Sequence, residues 1–112
     1  MTDLCRLEEI EDGQGRGFTV QVAGGRINIV VVRKGRAVFG YRNMCPHTAR
    51  ALDYFPDQFM DKTGEYILCL HHDAHFRIED GVCIGGPCLG QRLKPVTVGI
   101  NGDGYVTFIA GH

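Results

Sequence analysis

The sequence predicts an all-β fold, an antiparallel sandwich or barrel carrying a smaller subdomain. Three observations predict it. Short alternating or β-branched runs recur along the chain. Sixteen glycines in 112 residues favour tight turns and close backbone approaches over long helices. Turn sequences such as Gly24-Gly25 and Asp80-Gly81 fall between the runs, as hairpins require.

The elements follow in order. Phe18-Thr19-Val20-Gln21-Val22 alternates with period two, and Ile27 to Val32 is β-branched. Gly24-Gly25 separates these runs, and Arg33-Lys34-Gly35-Arg36 leads on to Ala37-Val38-Phe39-Gly40-Tyr41, so a meander of hairpins is expected. Residues 48–63 are less regular and are expected to hold a short helix or a turn. Tyr66 to Leu70 reads as a strand. Phe76 to Glu79 and Val82 to Ile84 flank Asp80-Gly81 as a hairpin, and Gly85-Gly86-Pro87 then breaks the sheet. Pro95 to Ile100 and Tyr105 to Ile109 form a last hairpin across residues 101–104, which must pair with the early strands to bury its apolar face. Cys5 reads as a small apolar strand residue.

Length and composition narrow the function. A chain of 112 residues suits one domain, 1–112. A net charge of −1 offers no basic face for nucleic acid. No apolar run approaches the roughly 20 residues that cross a bilayer, so no membrane role is expected. The first ten residues carry Asp3, Glu8 and Glu9 without an apolar stretch, so no secretory signal is expected and the cytoplasm is the expected location. In that reducing compartment the five cysteines are expected to be metal ligands or thiols.

Two motifs carry the chemistry: Cys45-Pro46-His47 and Cys69-Leu70-His71-His72, with residues 48–68 between them. Each places a thiolate and an imidazole just after a strand. Held side by side, the two loops offer a soft S₂N₂ set that suits zinc or iron–sulfur chemistry and not magnesium or calcium. A tetrahedral Cys₂His₂ zinc site is the rival. Zinc-finger His pairs usually follow the Cys pairs, whereas each loop here mixes the two types, which favours iron–sulfur.

The arrangement resembles the Rieske family, in which two Cys hold one iron and two His the other. Cys45-Pro46-His47 matches the first ligand loop, with Leu52 at its apolar position. Cys69-x-x-His72-x-Ala74-x-Phe76 matches the second, and Gly85-Gly86-Pro87 matches the proline loop that shields the cluster. The resemblance implies a Rieske-like antiparallel base, a cluster-binding subdomain over about 43–88, and one 2Fe-2S cluster on Cys45, His47, Cys69 and His72. The chain departs from the pattern in a somewhat longer gap between the motifs and in Asp73, which stands where glycine often follows the second histidine.

High-potential Rieske proteins of cytochrome bc complexes carry an extra cysteine in each loop, joined by a disulfide; here those positions are Arg50 and His71. They also set serine and tyrosine hydroxyls against the cluster sulfurs, where this chain has Ala74 and Phe76. The chain therefore looks like a Rieske-type ferredoxin, a soluble non-catalytic carrier of single electrons. The resemblance implies a flavin-containing reductase as donor and a terminal oxygenase or other oxidoreductase as acceptor. A small subunit of a nitrite-reductase type enzyme, a redox sensor and a zinc-stabilised binding module are the alternatives.

The remaining chemistry-bearing residues have plainer readings. The spacing favours His72 over His71 as ligand. His75 reads as a surface residue near the cluster, and Cys83 and Cys88 as plain thiols flanking the proline loop. Tyr54, Phe55, Phe59 and Met60 either pack over the core or form a docking surface.

Overall fold

The computed structural model describes residues 2–46, 51–52, 57–69 and 73–111. Nine strands run in chain order: β1 Thr2–Arg6, β2 Gly15–Val22, β3 Gly25–Lys34, β4 Ala37–Arg42, β5 Tyr66–Cys69, β6 Ala74–Arg77, β7 Cys83–Gly85, β8 Pro95–Ile100 and β9 Tyr105–Ala110. Six of them form one antiparallel sheet in the order β1-β9-β8-β4-β3-β2, which curls into a nearly closed barrel. The other three form a small antiparallel sheet, β5-β6-β7. The all-β expectation holds. The final hairpin joins the early strands through β9 on β1 and β8 on β4.

Strand β3 explains the unbroken apolar run at 29–32. Successive side chains of a strand point to opposite faces. Ile29 and Val31 enter the core inside the large sheet, with Cys5, Val20, Val96, Val106 and Phe108. Val30 and Val32 enter a second core with Tyr41, Phe59, Ile67, Phe76 and Leu93. Both faces are buried over residues 29–32, so no polar residue interrupts that stretch. Each such side chain contributes about 1.5–3 kcal/mol.

Several boundaries differ from the sequence reading. Strand β1 had no periodic signal of its own, because Thr2-Asp3-Leu4-Cys5-Arg6 is an edge strand that buries only Cys5. Strand β6 begins at Ala74, two residues before the expected start, because Ala74 already pairs with Cys69. Between residues 57 and 65 there is no helix. Met60 bridges to Ile67, Leu68 N–H donates to Phe59 O at 2.7 Å, and a turn around Asp61 returns the chain to β5. Burial works against ionisation of Asp61, but bonds from the Thr63 hydroxyl and the Tyr66, Glu65 and Gly64 amides hold its carboxyl below the usual range.

Glycine is required at Gly40 in β4. A Cβ there would lie 2.8 Å from side-chain carbons of both Val96 and Val98, so β4 and β8 meet closely only without one. The neighbouring Tyr41 points the other way and ties the sheets together. Its hydroxyl donates to Ile78 O at 2.6 Å, at the end of β6. Burial, reinforced by the charge of Asp80, pushes the Tyr41 phenol up to about 12, so it stays a donor at any physiological pH.

Tyr41→Phe leaves the buried Ile78 carbonyl without this donor and should cost about 1–3 kcal/mol. Urea unfolding followed by far-UV circular dichroism will measure it; a loss below a few tenths would show that this bond does not couple the two sheets.

Candidate metal centre

The first motif follows β4 directly. Asn43 N–H donates to Asn28 O at 2.9 Å, and Met44 N–H to Arg42 O at 2.9 Å, which bends the chain out of the sheet. Asn43 Oδ1 accepts from Leu52 N–H at 2.8 Å, closing residues 43–52 on themselves. Cys45 and Leu52 are both fully buried within this closure. The second motif begins with Cys69, the last residue of β5, also fully buried. Both cysteines belong to one apolar core with Leu52, Phe59, Ile67, Ala74 and Phe76.

His47 and His72 lie outside the described residues, as do Arg50, Tyr54, Phe55 and His71. The structure therefore brings together the two thiols of the expected set. Among the described residues no three of His, Cys, Asp and Glu gather as a metal site. Two fully buried cysteines in one apolar core, one following β4 and one ending β5, fit the thiolate half of a Rieske donor set.

Backbone geometry explains two features of the rim. Asp73 has φ of +54°, a left-handed conformation that glycine adopts freely and Asp or Asn better than other residues. The departure from glycine at this position therefore keeps the required turn. Its carbonyl lies 3.0 Å from His75 Nδ1, and His75 meets Tyr66 edge-on on the half-buried face of the small sheet. Gly86, at φ +100°, presses the proline loop onto the second ligand loop. A Cβ there would stand 2.8 Å from Ala74 Cα, beside the residue paired with Cys69.

Sequence reasoning missed three supports. Asp57 Oδ1 accepts from Gly17 N–H at 2.8 Å and fixes the returning chain to β2. Asn43 closes the first loop. Cys83 and Cys88, read as plain thiols flanking the proline loop rather than as a disulfide or second metal pair, stand with Sγ atoms 3.1 Å apart. Short Asn and Asp side chains beside a ligand motif are the available signal for the first two, because they bond neighbouring backbone. Of the aromatic stretch, Phe59 is fully buried, which removes it from any docking surface, and Met60 is half-buried against the same core.

Comparison with known proteins decides the family. The model of the Rieske [2Fe-2S] domain matches residues 1–101. This chain belongs to the Rieske [2Fe-2S] domain family. One Rieske-type 2Fe-2S cluster is its cofactor. No curated protein matches. Among solved structures, the Rieske fold is shared with the "Sphingomonas yanoikuyae B1 ferredoxin", at 27% identity and TM-score 0.69, over 95% of this chain and 94% of that one. The "Ferredoxin of carbazole 1,9a-dioxygenase from Nocardioides aromaticivorans IC177" matches with TM-score 0.73 at 21% identity, over 99% of this chain and 100% of that one. A longer chain in "The reduced complex between oxygenase and ferredoxin in carbazole 1,9a-dioxygenase" matches at 25% identity and TM-score 0.70, over 93% of this chain but 26% of its own length. Among the described residues no helix is long and apolar enough to cross a membrane.

The rim geometry yields a paired test. Gly86→Ala must move either the proline loop or the Ala74 backbone and should lower the temperature at which the visible spectrum bleaches. Asp73→Gly should leave that temperature nearly unchanged, whereas Asp73→Val should cost at least about 1–2 kcal/mol. Thermal bleaching of the three purified variants checks both; equal effects of Gly and Val at 73 would reject the role of the left-handed turn.

Proposed function

We propose that this chain is a Rieske-type ferredoxin, a carrier that passes single electrons from a flavin-containing reductase to a terminal oxygenase or related oxidoreductase in the cytoplasm. The observation that carries the reading is the pair of fully buried thiols, Cys45 and Cys69, inside a Rieske fold that takes up nearly the whole chain. No room remains for a separate catalytic domain within these 112 residues. The similar structures support the partner class, since two of them are described as ferredoxins and the third as a complex of ferredoxin with oxygenase.

On this reading residues 1–112 form a single domain, with the cluster-binding part over about 43–88. Cys45 and Cys69 would hold one iron of the cluster, and His47 and His72 the other. When bound, the cluster gains and loses one electron. The protein's part is to hold the ligands still, to keep water from the sulfurs, and to set which charge state is favoured. Asn43 and Asp57 hold the first loop and the returning chain, and Gly86 seats the proline loop as cover. The longer matched chain shows the same fold as part of a larger polypeptide, so a subunit role is the second reading. Size-exclusion chromatography of the purified protein with and without candidate partners separates the two.

Ligand assignment is tested by substitution. Cys45→Ala, His47→Ala, Cys69→Ala and His72→Ala should each lose iron and colour, whereas His71→Ala should keep both. Iron and sulfide assays with visible spectra read the result, and a cluster kept in His72→Ala but lost in His71→Ala would reverse the assignment. A colourless protein that binds zinc would replace the electron-transfer reading altogether.

The reduction potential follows from what surrounds the sulfurs. Hydroxyl hydrogen bonds stabilise the more negative reduced state and raise the potential. Ala74 and Phe76, both fully buried, offer none. The potential should therefore lie near the bottom of the Rieske range, at about −150 mV, and Ala74→Ser should raise it. The ligand imidazoles of His47 and His72 each keep one N–H, more easily lost in the oxidised state, so the potential should fall as pH rises into the alkaline range. Protein-film voltammetry measures all three; a strongly positive value at neutral pH would reject the ferredoxin reading.

A further inference from the structure

Cys83 and Cys88 bracket the proline loop. Both are almost wholly buried, in the same core as Cys45 and Cys69. Their sulfurs lie 3.1 Å apart, with the Cys88 thiol directed at Cys83 and the Cys83 thiol at Gly85 O, 3.2 Å away. The loop is closed at its base by three backbone bonds: Cys83 N–H to Gln91 O at 2.7 Å, Gly90 N–H to Cys83 O at 3.2 Å, and Gln91 N–H to Cys88 O at 2.9 Å. The two sulfurs thus face each other across a pre-formed neck. Closing the remaining gap to the covalent distance of about 2.05 Å needs a movement of roughly 1 Å. The loop above is open to solvent, with Leu89 69% exposed at its end.

We propose that Cys83 and Cys88 are a redox-modification site, forming a reversible disulfide across the neck of the proline loop by exchange with a low-molecular-weight disulfide such as oxidised glutathione. The exchange balances in two steps. One cysteine sulfur attacks the small disulfide, its S–S bond breaks, and one thiol leaves carrying the first proton. The second cysteine sulfur attacks the mixed disulfide, the Cys83–Cys88 bond forms, and a second thiol leaves with the second proton. The protein loses two electrons and two protons, and the small disulfide gains them.

Two features set the conditions. Burial, then the bond to Cys83 and the charges of Cys83 and Cys45, push the Cys88 thiol up to about 12. Both sulfurs are also buried, so exchange proceeds through transient opening of the neck. Gly86 sits between the two cysteines and against Ala74, so the modification acts on the cover of the second ligand loop. The pair's chemistry stands apart from the ligand assignment, and retention of the visible spectrum keeps the two questions separate.

The test is incubation of the iron-loaded protein in glutathione buffers from fully reduced to fully oxidised, followed by denaturing alkylation and peptide mass mapping. The expected result is joint loss of both thiols, a mass two hydrogens lower on one Cys83–Cys88 peptide, a retained visible spectrum and full reversal by dithiothreitol. Cys83→Ser and Cys88→Ser should each trap one glutathione on the remaining cysteine; if one variant fails to fold, the other and the wild-type map still decide. Both thiols alkylated in the most oxidising buffer would overturn the proposal. So would pairing with Cys5, Cys45 or Cys69, or a disulfide that forms only after the spectrum has bleached.

Discussion

Burial of β3 on both faces is the constraint on which the rest of this structure depends. A strand at the surface can alternate polar and apolar residues; β3 cannot, because Ile29 and Val31 fill the barrel while Val30 and Val32 support the small sheet. The two cores thus share one backbone, and neither can shift without the other. Strand β4 repeats the device beside it, with Gly40 closing onto β8 and Tyr41 reaching across to Ile78. The ligand loops are therefore extensions of packed strands, with little freedom of their own at the cysteine end.

That rigidity reaches the ligand loops through short polar side chains. Asn43 accepts from Leu52 N–H, Asp57 from Gly17 N–H and Asp61 from Glu65 N–H in its own turn, so these backbone donors are met without a helix or sheet. Where side chains cannot serve, conformation does: Asp73 turns left-handed and Gly86 brings two backbones into contact. Electron transfer favours such a site, since a centre that moves little between charge states has little to reorganise.

The sequence made the hairpins, the two motifs and the proline loop legible because each depends on local chemistry: period-two burial, turn glycines, and soft ligands at fixed spacing. Edge strand β1 was legible only at Cys5, since an edge needs only one buried residue and its partner β9 lies at the far end of the chain. The fate of Phe59 was equally hidden. An aromatic in an irregular segment reads the same whether it faces solvent or fills the space against Gly15 and Gly17 of a distant strand. The closeness of Cys83 and Cys88 also escaped, because spacing alone does not say whether a glycine-proline loop spreads its ends or pinches them. Only the neck bonds to Gln91 decide that.

The same burial that makes the fold rigid bears on its electrochemistry. Two thiolates balance the charge of an oxidised two-iron, two-sulfur core, and reduction leaves one net negative charge. Leu52, Phe59, Ile67, Ala74 and Phe76 line the core that holds both cysteines, and none carries a polar side-chain atom. An apolar surrounding penalises net charge, so it disfavours the reduced state in the same direction as the missing hydroxyls do. The two effects differ in origin: one is local, at Ala74 and Phe76, and the other belongs to the whole core. The core contribution cannot be relieved by a single substitution without loosening the packing that fixes Cys45 and Cys69. A low potential and fully buried thiols would therefore be linked in this chain, and Ala74→Ser, which adds a hydroxyl inside that core without removing an apolar side chain, addresses the local effect alone.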